Sequence, residues 1–140
     1  MNTKILNTIY NVVIDNSTIY EISHNAKIAN LAYEDMIVCY LEIVYKFDGI
    51  DFLKKKLATE DNLHVRNFFA TMMLPADIEF AKNILRTLTS CDIERISEGA
   101  SNLLSEKYSS LDETSQAYGS LQHRIQKKKK MNLKLPFYSS

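Results

Sequence analysis

The strongest constraint on the fold lies between Gly49 and Lys107, where one pattern is written twice. Residues Ile50–Leu57 align without gaps on Ile78–Leu85, at an offset of 28. Val65–Met73 aligns on Ile96–Leu104 at an offset of 31, so the three extra residues fall between the segments, where a loop belongs. Each segment carries apolar residues at helical spacing. A repeat of about 30 residues made of two amphipathic segments implies stacked helix pairs that share one elongated core.

The rest of the composition agrees with an all-α fold. Three Gly and two Pro in 140 residues are too few for a turn-rich β architecture and suit helices joined by short polar loops. The length is enough for a self-sufficient core. The expected organisation is a single helical domain over residues 1–126 with six or seven helices, containing the repeat pair 49–74 and 77–107. A basic and apolar C-terminal tail, 127–140, follows it.

Along the chain, Ile5, Ile9, Val12 and Val13 predict a first helix over residues 3–14, with a strand over Asn11–Ile14 as the alternative because β-branched residues cluster there. Asp15-Asn16-Ser17 is read as a break. Ile19, Ile22, Ala26, Ala29, Tyr33, Ile37, Tyr40/Leu41 and Val44 then recur in steps of three and four. That spacing predicts one long helix, or two joined near Asn30. Tyr33, Tyr40 and Tyr45 belong to its core or rim. Gly49 is placed as a left-handed cap after Phe47-Asp48. Ile50, Leu53 and Leu57 mark one face of a short helix whose remainder is covered by Lys54, Lys55 and Lys56.

After the capping loop Thr59–Asn62, Val65, Phe68, Phe69, Met72 and Met73 form a broad buried stripe in which the methionines fill gaps. Pro75 fits the first turn of the next helix, whose face is Ile78, Ala81, Ile84/Leu85 and Leu88. Ser90 or Asp92 is expected to cap a helix running to Lys107, with Ile93, Ile96, Ala100, Leu103 and Leu104 inward. Gly99 and Ala100 would let a neighbouring helix approach closely. A last helix is expected to open at Ser109-Ser110.

The repeat resembles the HEAT-like family, and more narrowly its short bacterial versions. The residues that carry the likeness run from Leu57 to Ala70: an apolar helix end, the acidic-polar loop Thr59-Glu60-Asp61-Asn62, then Val65-Arg66 opening the second helix. The second copy has Ile96-Ser97 where Val-Arg is usual, and Phe69 stands where that family has a small residue. The resemblance covers about residues 30–107 and implies a right-handed α-α superhelix. It also implies that Glu60 or Asp61 pairs with Arg66 to fix the loop. It brings no catalytic motif.

The chemistry of enzymes is missing from the sequence. There is no phosphate-binding glycine loop, no HExxH, no GxSxG and no Cys/His metal spacing. His24, His64 and His123 stand on different elements; a surface position, with Glu21 nearby, suits His24. Cys39 and Cys91 are read as free thiols, which makes a reducing cytoplasm the expected location. The first apolar run is interrupted by Asn7, Thr8, Asn11 and Asp15 and lacks a cleavage site, so no signal peptide is expected. No apolar run reaches the ~20 residues of a membrane span. No cofactor and no metal are expected.

A zero net charge conceals an asymmetry. Residues 1–106 hold ten Lys/Arg against fifteen Asp/Glu, and residues 107–140 hold seven against two. The body is acidic and the tail basic. The function expected first is therefore a non-enzymatic protein-binding module, an immunity-type protein that neutralises a cationic, nuclease-like toxin. Short HEAT-like proteins are similar to some bacterial immunity proteins. Asp48, Asp51, Glu60, Asp61, Asp92, Glu94 and Glu98, at loops and helix starts, are the candidate partner-binding residues. The same acids also suit helix N-termini for purely local reasons. The alternative is a nucleic-acid scaffold that contacts phosphates through Arg124, Lys127, Lys128, Lys129 and Lys130. A HEAT-like base-excision glycosylase ranks last, because the middle of the chain is acidic and Trp is absent.

Overall fold

The computed structural model describes residues 3–105. Arg124, Lys127–Lys130, the helix expected from Ser109 and the tail 127–140 all lie outside the described residues. Those described form six α-helices and one π-helical turn, and no strand. In order they are α1 (Thr3–Ile22), α2 (Ala26–Leu41), the π turn (Glu42–Lys46), α3 (Ile50–Thr59), α4 (Leu63–Met73), α5 (Ile78–Leu88) and α6 (Glu94–Ser105). The chain is all-α, with two compact units that divide between Thr59 and Glu60. That boundary falls inside the 49–74 copy of the repeat: α3 belongs to the first unit, and α4 to the second with α5 and α6.

In the first unit, α1 and α2 pack along each other, and the π turn and α3 complete the cluster. The buried face of α1 is Leu6, Ile9, Tyr10, Val13 and Ser17. The helix does not break at Asp15-Asn16-Ser17, and no strand occupies 11–14. The polar side chains there bond back along the helix rather than ending it. Asn16 Nδ2 donates to the Val12 carbonyl at 2.9 Å and Thr18 Oγ1 to that of Ile14 at 3.3 Å. The break comes instead at Ser23-His24-Asn25, earlier than Asn30. Asn25 Oδ1 accepts the Lys27 and Ile28 N–H groups at 2.9 and 3.2 Å, which caps α2.

The end of α2 widens into the π turn, closed by Phe47 N–H donating to the Glu42 carbonyl at 3.0 Å. The left-handed residue that follows is Asp48, with φ of 49°, not Gly49. Aspartate tolerates that conformation because its short polar side chain can bond locally. Gly49 is required for space: a Cβ there would stand 2.8 Å from the Ile43 carbonyl oxygen and 3.0 Å from Leu6 Cδ2. Its N–H donates to the same Ile43 oxygen at 2.7 Å. On α3, Phe52, Leu53 and Leu57 are buried. Tyr10 and Phe52 meet edge to face at 6.4 Å, and Lys56 Nζ lies 5.7 Å from both ring centres.

The second unit follows its stripes closely in α4 and only in part in α5 and α6, where Ile78, Ile93, Leu103 and Leu104, expected inward, are half-buried. Val65, Phe68, Phe69, Met72 and Met73 of α4 are all buried, as are Ala81, Ile84, Leu85 and Leu88 of α5 and Ile96 and Ala100 of α6. Asn62 Oδ1 caps α4 by accepting from His64 and Val65 N–H at 3.0 and 3.2 Å. Asp77 Oδ1 caps α5 through Phe80 N–H at 3.2 Å. Pro75 therefore sits in the turn before α5 rather than in its first turn. The N–H groups of Ala76 and Asp77 close that turn onto the Met73 carbonyl. Within α6, Ala100 is buried, whereas no atom of a described residue lies within 4 Å of a Cβ placed on Gly99. The helix approach expected at Gly99 is absent among the described residues.

Candidate functional site

The seven acids singled out by the sequence do not form one group. Asp48 and Asp51 belong to the first unit, where Asp48 holds the left-handed turn and Asp51 stands in the first turn of α3. Glu60, Asp61, Asp92, Glu94 and Glu98 belong to the second.

The second unit brings its five acids to one end by topology. The connections 74–77 and 89–93 are short, so α4, α5 and α6 alternate in direction and the starts of α4 and α6 share an end. A bond across that end fixes it: Arg66 Nη2, one turn into α4, donates to Thr87 Oγ1, near the end of α5, at 3.3 Å. Glu60 and Asp61 precede α4. Asp92 lies in the turn before α6, Glu94 in its first turn and Glu98 one turn further. Asp61, Asp92, Glu94 and Glu98 are exposed and Glu60 is half-buried. Arg66, Arg86 and Arg95 belong to the same end, so five carboxylates face three guanidinium groups there.

Part of this arrangement is structural. Arg66 Nη1 donates at 3.3 Å to Glu60, at its main-chain carbonyl. The Glu60 carboxylate accepts the Asn62 N–H at 3.1 Å and so shapes the capping loop. Asp92, Glu94 and Glu98 project from the neighbouring helix start, where the N-terminal dipole favours negative charge.

The first unit holds a different group of titratable side chains, of which the sequence singled out Cys39 and Tyr40 but not Glu42. Glu42 opens the π turn and is 3 % exposed, with Lys46 Nζ 3.5 Å away. Cys39 lies one turn before it, fully buried. Burial, then the negative charges of Asp35 and Glu42, push the Cys39 thiol up to about 12. Burial likewise raises the Tyr40 phenol well above its ordinary value, with Tyr45 adding to the shift. Such a thiol is inert as a nucleophile at neutral pH. Cys91 is half-buried, and its Sγ lies 3.6 Å from the Ile93 carbonyl. Among the described residues no three His, Cys, Asp or Glu side chains are placed to hold a metal ion.

The sequence also misplaced the outward face of the α1–α2 hairpin. Ile19 and Ile22, expected inside, are 41 % and 68 % exposed. Tyr33 and Tyr45 are exposed too, and Tyr40 is buried. The legible signal was the polar triplet Ser23-His24-Asn25, with large apolar residues close on both sides. No described helix is long and apolar enough to cross a membrane. No protein-family model, curated protein or solved structure matches the chain.

Proposed function

We propose that the chain is a non-enzymatic protein-binding module of immunity type, which recognises a cationic protein such as a nuclease-like toxin through the acidic end of its second unit. The observation that carries this reading is the convergence of two helix starts bearing Glu60, Asp61, Asp92, Glu94 and Glu98. The Asn62 cap holds the loop that bears Glu60 and Asp61, and Glu94 and Glu98 stand on α6 itself, so little ordering is needed on binding. A cationic partner would be steered to such an end and held by charge-assisted contacts. A short HEAT-like right-handed superhelix is the architecture that fits this use, with the α4–α5 and α5–α6 packing as its support.

The test is to co-express the chain with the product of each adjacent gene and to measure the dissociation constant of any complex at two salt concentrations. The reading expects a specific complex with a basic protein that weakens as salt rises. A complex insensitive to salt, or no complex with any neighbour, contradicts it. The basic residues Arg124 and Lys127–Lys130 keep a nucleic-acid reading open. Retardation of DNA or RNA at low salt, lost on truncation after Ile125, would favour that reading instead.

A further inference from the structure

Helix α1 carries a second row of side chains besides the one it buries. Ile5, Thr8, Val12, Asn16 and Ile19 follow one another at steps of three, four, four and three. At about 100° per residue they fall within an arc of about 80°, centred about 110° from the buried face of Leu6, Ile9, Tyr10, Val13 and Ser17. The row is one strip along one helix, about 21 Å long at ~1.5 Å per residue. Ile5 and Ile19 are 38 % and 41 % exposed. Thr8 is exposed as well, and Val12 and Asn16 are half-buried. Single exposed apolar residues are ordinary. Here every apolar member of the row is β-branched, which lowers helix propensity, and burial within the chain does little to offset that cost. A regular apolar row on an outer face marks a surface that something covers.

We infer that this row is the contact between two copies of the chain, paired through antiparallel α1 helices about a two-fold axis at Val12. The row reads the same in both directions, with polar and apolar members spaced evenly on either side of Val12, and a two-fold contact requires such self-complementarity. Val12 then faces Val12 of the second copy, Ile5 faces Ile19, and Thr8 faces Asn16. The polar pair can be satisfied. Thr8 Oγ1 donates to the Lys4 carbonyl at 3.0 Å and Asn16 Nδ2 to that of Val12 at 2.9 Å, which leaves the second Nδ2 hydrogen of Asn16 for the Thr8 oxygen across the contact. Charge fixes the direction. Lys4 and Asp15 are exposed on the same flank of the row. Antiparallel pairing brings each Lys4 to the flank that bears Asp15 of the other copy, about 7.5 Å along the axis and within reach of the lysine stem. A parallel pair sets Lys4 level with Lys4 and Asp15 level with Asp15, and it aligns the two helix dipoles unfavourably. Five side chains from each copy make a contact smaller than a permanent dimer needs, so the pair is weak and forms as concentration rises. The inference uses no residue of the acidic end of the second unit and stands apart from it.

Sedimentation equilibrium of the full chain is expected to show a mass that rises from that of one chain toward that of two, with a dissociation constant on the order of 100 μM. Val12→Arg places two guanidinium groups face to face on the axis and should weaken the pairing at least about tenfold. Thr18→Arg, on α1 but off the row, should leave it unchanged. Cross-linking tests the same contact without a charge on the axis. In a Cys91→Ser background, a short bis-maleimide should join Ile5→Cys to Ile19→Cys when the two variants are mixed. It should join neither to itself, because like positions stand about 21 Å apart along the antiparallel pair. A monomer mass at millimolar concentration, pairing that survives Val12→Arg, or pairing lost equally on Thr18→Arg would overturn the inference. Ile5→Cys joined to itself would overturn it too, since that is the mark of a parallel pair.

Discussion

The two units use apolar residues differently. In the second unit, three helices of 11 or 12 residues leave no large apolar side chain exposed: most are buried, and Leu63, Ile78, Phe80, Leu103 and Leu104 are half-buried. In the first, a helix of 20 residues and one of 16 carry apolar side chains on both faces, and several of these are exposed. The second unit is capped at α4 and α5 by Asn62 and Asp77 and turns through short loops. The first contains a widened helical turn, a left-handed aspartate and a glycine with no room for a side chain. Periodicity reports burial only where apolar residues are confined to the buried face. Where they also serve an outer surface, the inferred face rotates.

Changes of known size in each unit sharpen this contrast. The largest effect is expected from Phe69→Ala, which empties a fully buried site in α4 and should cost about 3–5 kcal/mol of stability in urea unfolding. The next is alkaline pH, which acts on the first unit. The Cys39 thiol ionises at about 12 in the folded chain and at about 8.5 when unfolded. Its contribution is therefore fully present below the unfolded value and falls as pH rises toward the folded one. The slope approaches about 1.4 kcal/mol per pH unit for one proton. Cys39→Ala should remove that share of the slope, which unfolding curves collected between pH 8 and pH 11 would reveal.

Two glycines give the sharpest opposition. Gly49→Ala drives a Cβ against the Ile43 carbonyl and Leu6 and is expected to cost about 1–3 kcal/mol. Gly99→Ala, in a helix and clear of described neighbours, should instead stabilise by about 0.4–1 kcal/mol. Equal effects at the two positions would break the packing account of both units. Smaller losses, about 1 kcal/mol each, are expected from Asn62→Ala and Asn25→Ala, since each removes the side chain that accepts two N–H groups at a helix start.

These differences also explain what was legible in the sequence. The stripe of α4, most of that of α5 and the capping loop Thr59–Asn62 could be read directly, because local propensity and tertiary burial agree there; in α6 only Ile96 and Ala100 of the expected stripe are buried. Pro75 was displaced by one turn because Asp77 is the stronger start signal. The extent of α1 was hidden because Asp15-Asn16-Ser17 looks like a break, yet the side chains of Asn16 and the following Thr18 bond to the carbonyls four residues back. Gly49 was identified as a special position for the wrong reason: the left-handed backbone belongs to Asp48, and the glycine answers a clash that only coordinates reveal. As for the candidate site, each acid was visible by residue type. Their grouping was not, because sequence spacing does not reveal that Glu60 and Asp61 share an end with Asp92, Glu94 and Glu98 while Asp48 and Asp51 fall in the other unit.

The most direct test of the central claim compares charge reversal in the two units against the basic partner recovered from the adjacent genes. Asp92→Lys, Glu94→Lys and Glu98→Lys together, with folding checked by circular dichroism, should weaken binding at least about tenfold, or 1.4 kcal/mol. Asp48→Lys with Asp51→Lys should leave it within a factor of about two, close to the ordinary scatter of surface substitutions. Binding that survives the triple reversal, or that is lost on the pair in the first unit, would contradict the assignment of recognition to the acidic end of the second unit.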